Sequence, residues 1–586
     1  MPVRFPLRLR GMRGIGELPG SRWSHAAAIS PAAASGGLRL GDEPGAGAAD
    51  SGPGPGRDRL RRASWLSVLR VAAHLAVWLP FVASVGRELQ HGWIAVGDGA
   101  AIAIRSWDVL SSHGPLVGQM NGLGAYDPGP LEYWLNTVPV HLDPAHGLLW
   151  GAALCCMAAG SLAIEAARRA AGEVAGVLTA GFILAIVAGM PRILLAPYWN
   201  PRFGAMFFVA TLAAAWAVMC GHRRWWPVLV GTASVASQAH LIYAVASAAL
   251  VLLAFIAGLA GSYRSRAGYR WAITGLAVGA ACWIAPLIQQ FTGRPGNLSV
   301  LIDGQRSGQR RAGVAFGLKS LAAAVAPAGG QHGFHPAGVA TQPAGLGIAV
   351  LAVAAGSAVI AIRLLRCRPL AAVAVVNLVC CAAAVATFAN LLQSRDKSFR
   401  YLKIVLLPVG LLDWLVAAAV VLLAGRWLLG RLRPAASMAR RRIAAPAGGP
   451  AKPAPAARRL AGRARAAARQ AGSGAAARTA ARWAGAGLTL ALSASAAVAT
   501  SLAGAWGPIR IQAEVRAAAA AIERALPRQP VRLTVVKANG KLTLSQSVGI
   551  AWALRASGYR PELIPTSLSS WDRCTSLAAS RQRRRP

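Results

Sequence analysis

The chain has 586 residues, 55% of them hydrophobic and only 14% charged, a balance too apolar for an ordinary soluble domain. Its 62 Lys and Arg against 20 Asp and Glu leave a net charge of +42. The apolar residues fall in repeated runs of about 18 or more, each able to cross a hydrocarbon core about 30 Å thick as a helix. The charge is therefore read as membrane topology, and a nucleic-acid partner is excluded.

Residues 1–64 are rich in Gly, Pro, Ala and Arg and lack the continuous apolar stretch of a signal peptide, so a disordered cytoplasmic leader is expected. The predicted spans are 66–86, 146–165, 174–190, 202–220, 225–240, 241–261, 271–290, 345–365, 369–391, 404–424 and 483–505. The run from Trp225 to Gly261 is too long for one helix and is divided near Gln238-Ala239-His240. With the N-terminus inside, the short inner connections carry Arg168-Arg169, Arg223-Arg224, Arg264 with Arg266 and Arg270, and Arg363 with Arg366 and Arg368. Two or three arginines in each short loop follow the positive-inside rule and support eleven spans in a plasma membrane. The expected fold is an α-helical polytopic membrane protein. It comprises a transmembrane domain over 65–424, a basic cytoplasmic linker over 425–482 with fourteen Arg and Lys, and a last span over 483–505.

Residues 506–586 then form a small outer α/β unit. "VRLTVV" (531–536) reads as a strand, "LSQSVGIAWALRASGY" (544–559) as a helix and "RPELIP" as a second strand. The eight cysteines show no CxxC spacing and are read as small, mostly buried residues.

Six of the twenty acids, Glu88, Asp98, Asp108, Asp127, Glu132 and Asp143, lie in the first outer loop (87–145). Gly97-Asp98-Gly99 suits a helix start, with Asp98 able to cap free N–H groups. If 100–111 is helical, Arg105 lies two turns beyond Asp98 and three residues before Asp108, so all three fall on adjoining stripes. One reading is an N-cap plus an Arg105–Asp108 ion pair. The other is a carboxylate at the rim of an apolar site, supported by Arg105 and able to take a proton from an attacking hydroxyl. In "DPGPLEYW", Pro128 and Pro130 restrict the chain around Asp127, either as a plain turn residue or as an acid held near the mouth of the bundle, and Glu132 and Tyr133 follow.

Three further polar segments reach the same face in this topology: "APYWNPR" with Trp199 and Asn200, "SQAHLIY" with Gln238 and His240, and "WIAPLIQQFTGRPGNLSVL" with Arg294 and Asn297. They either line a shared cavity or serve as interfacial anchors and turns.

The segments "GDGAAIAIRSWDV", "PLVGQ", "DPGPLEYW", "YWNP", "SQAHL" and "WIAPLIQQFTGRPGNL" together resemble membrane glycosyltransferases of the GT-C fold class. More narrowly they are similar to actinobacterial integral membrane proteins related to arabinosyl- and mannosyltransferases. The resemblance covers roughly residues 66–425. It implies sugar transfer from a polyprenyl-phosphate donor to a cell-envelope glycan or glycolipid acceptor, with the early first-loop acid, here Asp98, as catalytic base. Such relatives often carry His before the PGP turn, where this chain has Asp127, which leaves the role of that position open. Some members hold a divalent cation on acidic residues, a role Asp98 and Asp127 could share.

In this reading Arg105, Arg192 or Arg294 meets the donor phosphate, while Asn200, Gln238 and His240 bind sugar hydroxyls. Asp108, Glu132, Tyr133, Trp199 and Asn297 complete the expected substrate contacts. The competing functions are a transporter or flippase of lipid-linked sugars, for which Asp413 and His74 are the intramembrane candidates, and a non-catalytic envelope-assembly protein.

Overall fold

In the computed structural model, the structure describes residues 55–564 except 113, 121–124, 190–196, 262–265, 307–309, 326–341, 392–402, 444–493, 500–508, 526–531 and 537–543. The chain divides into Met1–Arg59 and Leu60–Pro586, and the helical bundle lies in the second unit. The helices, in chain order, are α1 (Pro55–Gln90), α2 (Asp98–Asp108), α3 (Leu131–Leu142), α4 (Gly147–Ala171), α5 (Glu173–Gly189), α6 (Asn200–Met219), α7 (Trp226–Ala239) and α8 (Ala244–Gly261). They continue as α9 (Arg266–Thr292), α10 (Asn297–Arg306), α11 (Gly313–Val325), α12 (Ala344–Val359), α13 (Arg368–Ala389) and α14 (Leu406–Ile443).

The protein is a multi-pass membrane protein, and among the described residues eight of the eleven expected spans are helices long and apolar enough to cross a membrane. The expected spans 174–190 and 225–240 become α5 and α7, of 17 and 14 residues, short for a hydrocarbon core about 30 Å thick. The expected span 483–505 lies outside the described residues apart from a helical turn at 494–499. Gly313–Val325 is a further short apolar helix that was not anticipated. The division near residue 240 does occur: α7 stops at Ala239, and His240 is extended before the chain resumes as helix.

At the centre stands α6, enclosed on nearly every face and packed against α4, α7, α8 and α13. The buried residues of α4 are largely Ala and Gly, which let backbones approach closely where lipid removes any hydrophobic drive between helices, while α6 fills the interior with Phe203, Met206 and Phe208 beside its alanines. By contrast, α1 leaves Val68, Val71, Leu75, Leu79 and Val82 exposed, as suits a helix facing lipid.

Two regions of α1 meet different chemistry. Near its middle Arg70 pairs with Glu165 at 3.1 Å, and Arg168 bridges Glu165 and Glu173, tying α1, α4 and the start of α5. About 30 Å away along the helix, Gln90 leads into the loop that carries α2 and α3.

Against that same loop lie α15 (Ile509–Ala525) and α16 (Leu544–Ala556). Two five-residue strands, β1 (Arg532–Val536) and β2 (Arg560–Ile564), flank α16 in sequence and pair in parallel, Arg532 opposite Arg560.

Candidate active site

The chain enters α2 through Gly97, whose φ of +56° is open to glycine at little steric cost. Gly97 is the N-cap, and no side chain caps the helix, so the expected capping role of Asp98 is corrected. Asp98 is instead the first helical residue, and its carboxylate points into solvent. Oδ2 accepts a hydrogen bond from Trp199 Nε1 at 3.1 Å, while Gln119 Nε2 lies 3.5 Å from Oδ1. The buried Tyr133 hydroxyl donates to Gln119 Oε1 at 3.1 Å, so the Gln119 amide is itself oriented. Burial holds the Tyr133 phenol well above its usual range, which keeps it a donor. One exposed acid thus has a donor facing each oxygen, supplied by two separate segments, with Tyr133 of a third behind Gln119.

Behind Asp98 the fit is close. A Cβ at Gly99 would lie 2.8 Å from the Tyr198 ring, and the Trp93 indole reaches the Tyr198 hydroxyl at 3.4 Å. Burial pushes the Tyr198 phenol up to about 12. Arg105 is half-buried in the last turn of α2, and its charge is felt at Tyr133. The expected Arg105–Asp108 ion pair is absent among the described residues. Asp108 binds Arg555 of α16 at 2.7 Å instead, because α16 packs over that end of α2 and offers a guanidinium from outside the helix.

Asp127 occupies a different environment. It is 1% exposed, and its oxygens accept the Leu241 N–H at 3.1 Å and the Asn200 Nδ2–H at 3.2 Å. Its backbone pairs with Gly118 and Gln119, at 2.9 and 2.7 Å. A Cβ at Gly118 would lie 2.8 Å from the Gly129 carbonyl, so this strand-like pairing depends on glycine. Burial pushes the Asp127 carboxyl up to about 8 against the pull of its two donors, with Asp98 adding to the rise. Asp127 therefore joins the first loop, the start of α6 and the corner after α7. Glu132 is also buried, its Oε1 has no hydrogen-bond partner among the described residues, and burial holds its carboxyl well above the usual range.

The remaining predicted residues separate by geometry. Asn200 also donates to the Ala239 carbonyl at 3.1 Å, so its amide is committed to the frame. Asn297 accepts the Tyr126 N–H and donates to the Tyr126 carbonyl, both at 3.0 Å, which pins the start of α10 to the first loop. Gln238 donates to the Cys282 carbonyl at 2.7 Å, and its buried Oε1, packed against Gly129, has no hydrogen-bond partner among the described residues. His240 accepts the Ile242 N–H at 3.2 Å, and burial lowers its imidazole to about 4, so it is neutral at physiological pH. Arg294 is exposed, and Arg192 lies outside the described residues.

A shared cation on Asp98 and Asp127 does not fit these contacts. N–H donors already face Asp127, and no group of three or more His, Cys, Asp or Glu able to hold a metal occurs among the described residues. Within the bundle, Asp413 of α14 accepts a 2.7 Å hydrogen bond from Asn377 of α13, a satisfied helix–helix contact.

Sequence reading missed three contributors. Gln119 stood in "PLVGQ" without a role, since nothing local shows that its amide reaches residue 98. Tyr198 stood in "APYWNPR" without a role of its own. Arg555 was one basic residue among 62.

No known family profile matches the chain, and no curated protein matches it. Among solved structures the chain is similar to the apo-state crystal structure of ArnT from Cupriavidus metallidurans, at 18% identity over 89% of each chain, with a TM-score of 0.47.

Proposed function

We propose that the chain is an integral membrane glycosyltransferase. It moves a sugar from a polyprenyl-phosphate donor to a cell-envelope glycan or glycolipid acceptor at the extracytoplasmic face, the face on which α2 lies. The observation that carries this reading is Asp98: a solvent-facing carboxylate, oriented by Trp199 and Gln119, at the end of an apolar bundle.

The chemistry needs a base that can reach an acceptor hydroxyl. Asp98 takes the hydroxyl proton as that oxygen bonds the anomeric carbon. The bond from the anomeric carbon to the phosphate oxygen breaks, and the phosphate leaves with the electron pair. Arg105, half-buried and without an ion-pair partner among the described residues, is placed to meet the phosphate charge. The lipid tail stays in the bilayer throughout. Asp127, enclosed and facing N–H donors, braces the site and leaves the proton transfer to Asp98.

The test is transfer of labelled sugar from polyprenyl-phosphate donors to envelope acceptors by the purified full chain in liposomes. Transfer above the protein-free control is expected. Protein-dependent movement of the lipid-linked sugar across the bilayer without transfer would establish the transporter instead. Orientation is read separately: a membrane-impermeant thiol reagent applied to intact cells is expected to label a cysteine placed at 98 and to miss one placed at 266. Reversed labelling would put the α2 face in the cytoplasm and remove the proposed acceptor.

A further inference from the structure

The C-terminal helices and α2 meet through contacts that bracket Asp98. On the N-terminal side, Arg516 of α15 donates to the backbone carbonyls of Gly92 and His91, at 2.6 and 3.3 Å. There Ile94 and Val96 pack into the apolar cluster of Val515, Ile550, Leu554 and Tyr559. Gly549 of α16 lets the two backbones close up, since a Cβ there would stand 3.1 Å from Val96 and 3.3 Å from the Ala95 carbonyl.

On the C-terminal side, Arg555 pairs with Asp108 at 2.7 Å with both side chains largely buried, and its guanidinium lies 6.0 Å from the centre of the Trp107 ring. That ring stacks on His141 of α3 at 4.4 Å and meets the edge of Trp552 at 6.2 Å. Val548 and Trp552 are buried in the main core of the bundle, so the contact is continuous with it. Asp98 and Asp108 are the two ends of one eleven-residue helix, about 15 Å apart. Asp108 is also one of only 20 acids in a chain of 62 basic residues, yet the arginine it meets comes from 447 residues further on.

We infer that α15 and α16 are a docked clamp for α2. Arg555, Trp552 and Arg516 are its positioning residues, and they set where Asp98 stands. The catalytic consequence rests on the glycosyltransferase reading, whereas the clamp itself does not. One face of α2 is already seated on the bundle, with Ala100, Ile102 and Ala103 buried and α3 packed alongside, and the clamp adds contacts at both ends of the helix, where Asp98 and Asp108 stand. None of these three side chains touches Asp98, so their effect on chemistry runs through the helix.

The experiment uses the full chain in nanodiscs as wild type, Arg555→Asp, Asp108→Arg and the charge-swapped double variant, with Arg555→Gln as the milder substitution should a reversal fail to fold. Amide hydrogen exchange is read over 93–108, with α6 as internal reference. Each single variant, Arg555→Gln included, is expected to speed exchange over 93–108 about tenfold while α6 holds, and the swap to return it to within about threefold of wild type. Exchange over 93–108 that stays at the wild-type rate in the folded single variants overturns the clamp.

Sugar transfer is the second readout. The single variants are expected to lose kcat about tenfold with donor KM unchanged, and the swap to regain it. Faster exchange with undiminished kcat overturns the positioning role. If wild type itself transfers no sugar, the glycosyltransferase reading fails, and hydrogen exchange alone decides the clamp.

Discussion

Asp98→Asn is expected to lower kcat for sugar transfer by about 10²–10⁴, the usual worth of a positioned general base, while donor KM and thermal stability stay near wild type. The asparagine keeps the shape of the side chain and can still accept from Trp199 Nε1. What it loses is the capacity to take the acceptor proton. Asp98 is solvent-facing at the first turn of α2, so the substitution removes no core packing. Folding and catalysis therefore separate cleanly here, which is rarely possible for a buried acid. Initial rates across donor concentrations, alongside a melting curve of the same preparation, make the check. Transfer at the wild-type rate would remove Asp98 from the chemistry.

For Asp127 the expected effect is on stability and its pH dependence. Burial raises this carboxyl from 3.8 to about 8, so the folded protein holds the proton over a range in which the unfolded chain releases it. Stability from this group is greatest below about pH 4 and is lost as pH rises towards 8, at up to about 1.4 kcal/mol per pH unit. Above pH 8 both states are ionised and the slope ends. Asp127→Asn cannot ionise, and its amide oxygen can still accept the Leu241 N–H. The variant is therefore expected to lose less stability than wild type between pH 5 and 8 and to overtake it at the alkaline end. Glu132 is buried too, and the Asp127 charge adds to the rise of its carboxyl, so the difference between the melting curves reports Asp127 together with its effect on Glu132. Curves that stay parallel from pH 5 to 8.5 would show that Asp127 carries no such proton.

These two acids lie 29 positions apart in one loop, and the sequence marks them as alike: each is a scarce carboxylate beside glycine or proline. The fold separates them. One faces solvent with an indole and a carboxamide directed at its oxygens, and the other is sealed beneath Asn200 and Leu241. Burial is a property of what the rest of the chain places nearby, and no local pattern encodes it.

Membrane character was determined by sequence, because a run of apolar residues long enough to cross a bilayer has few other stable fates. The break at His240 was legible for the same reason, since 225–261 exceeds one membrane thickness. Hydropathy cannot say whether a short apolar run is a span or a helix enclosed by others, which is why α5 and α7 were counted with the longer helices. Pairing was the least legible. Spacing alone offered Arg105 to Asp108 as a helical neighbour, as i,i+3 geometry permits. The folded chain instead brings Arg555 to it from a distant segment, in a largely buried contact beside Trp107. Local periodicity sets which residues can share a helix face, while the choice among possible partners depends on burial and on which segments the tertiary fold brings within reach.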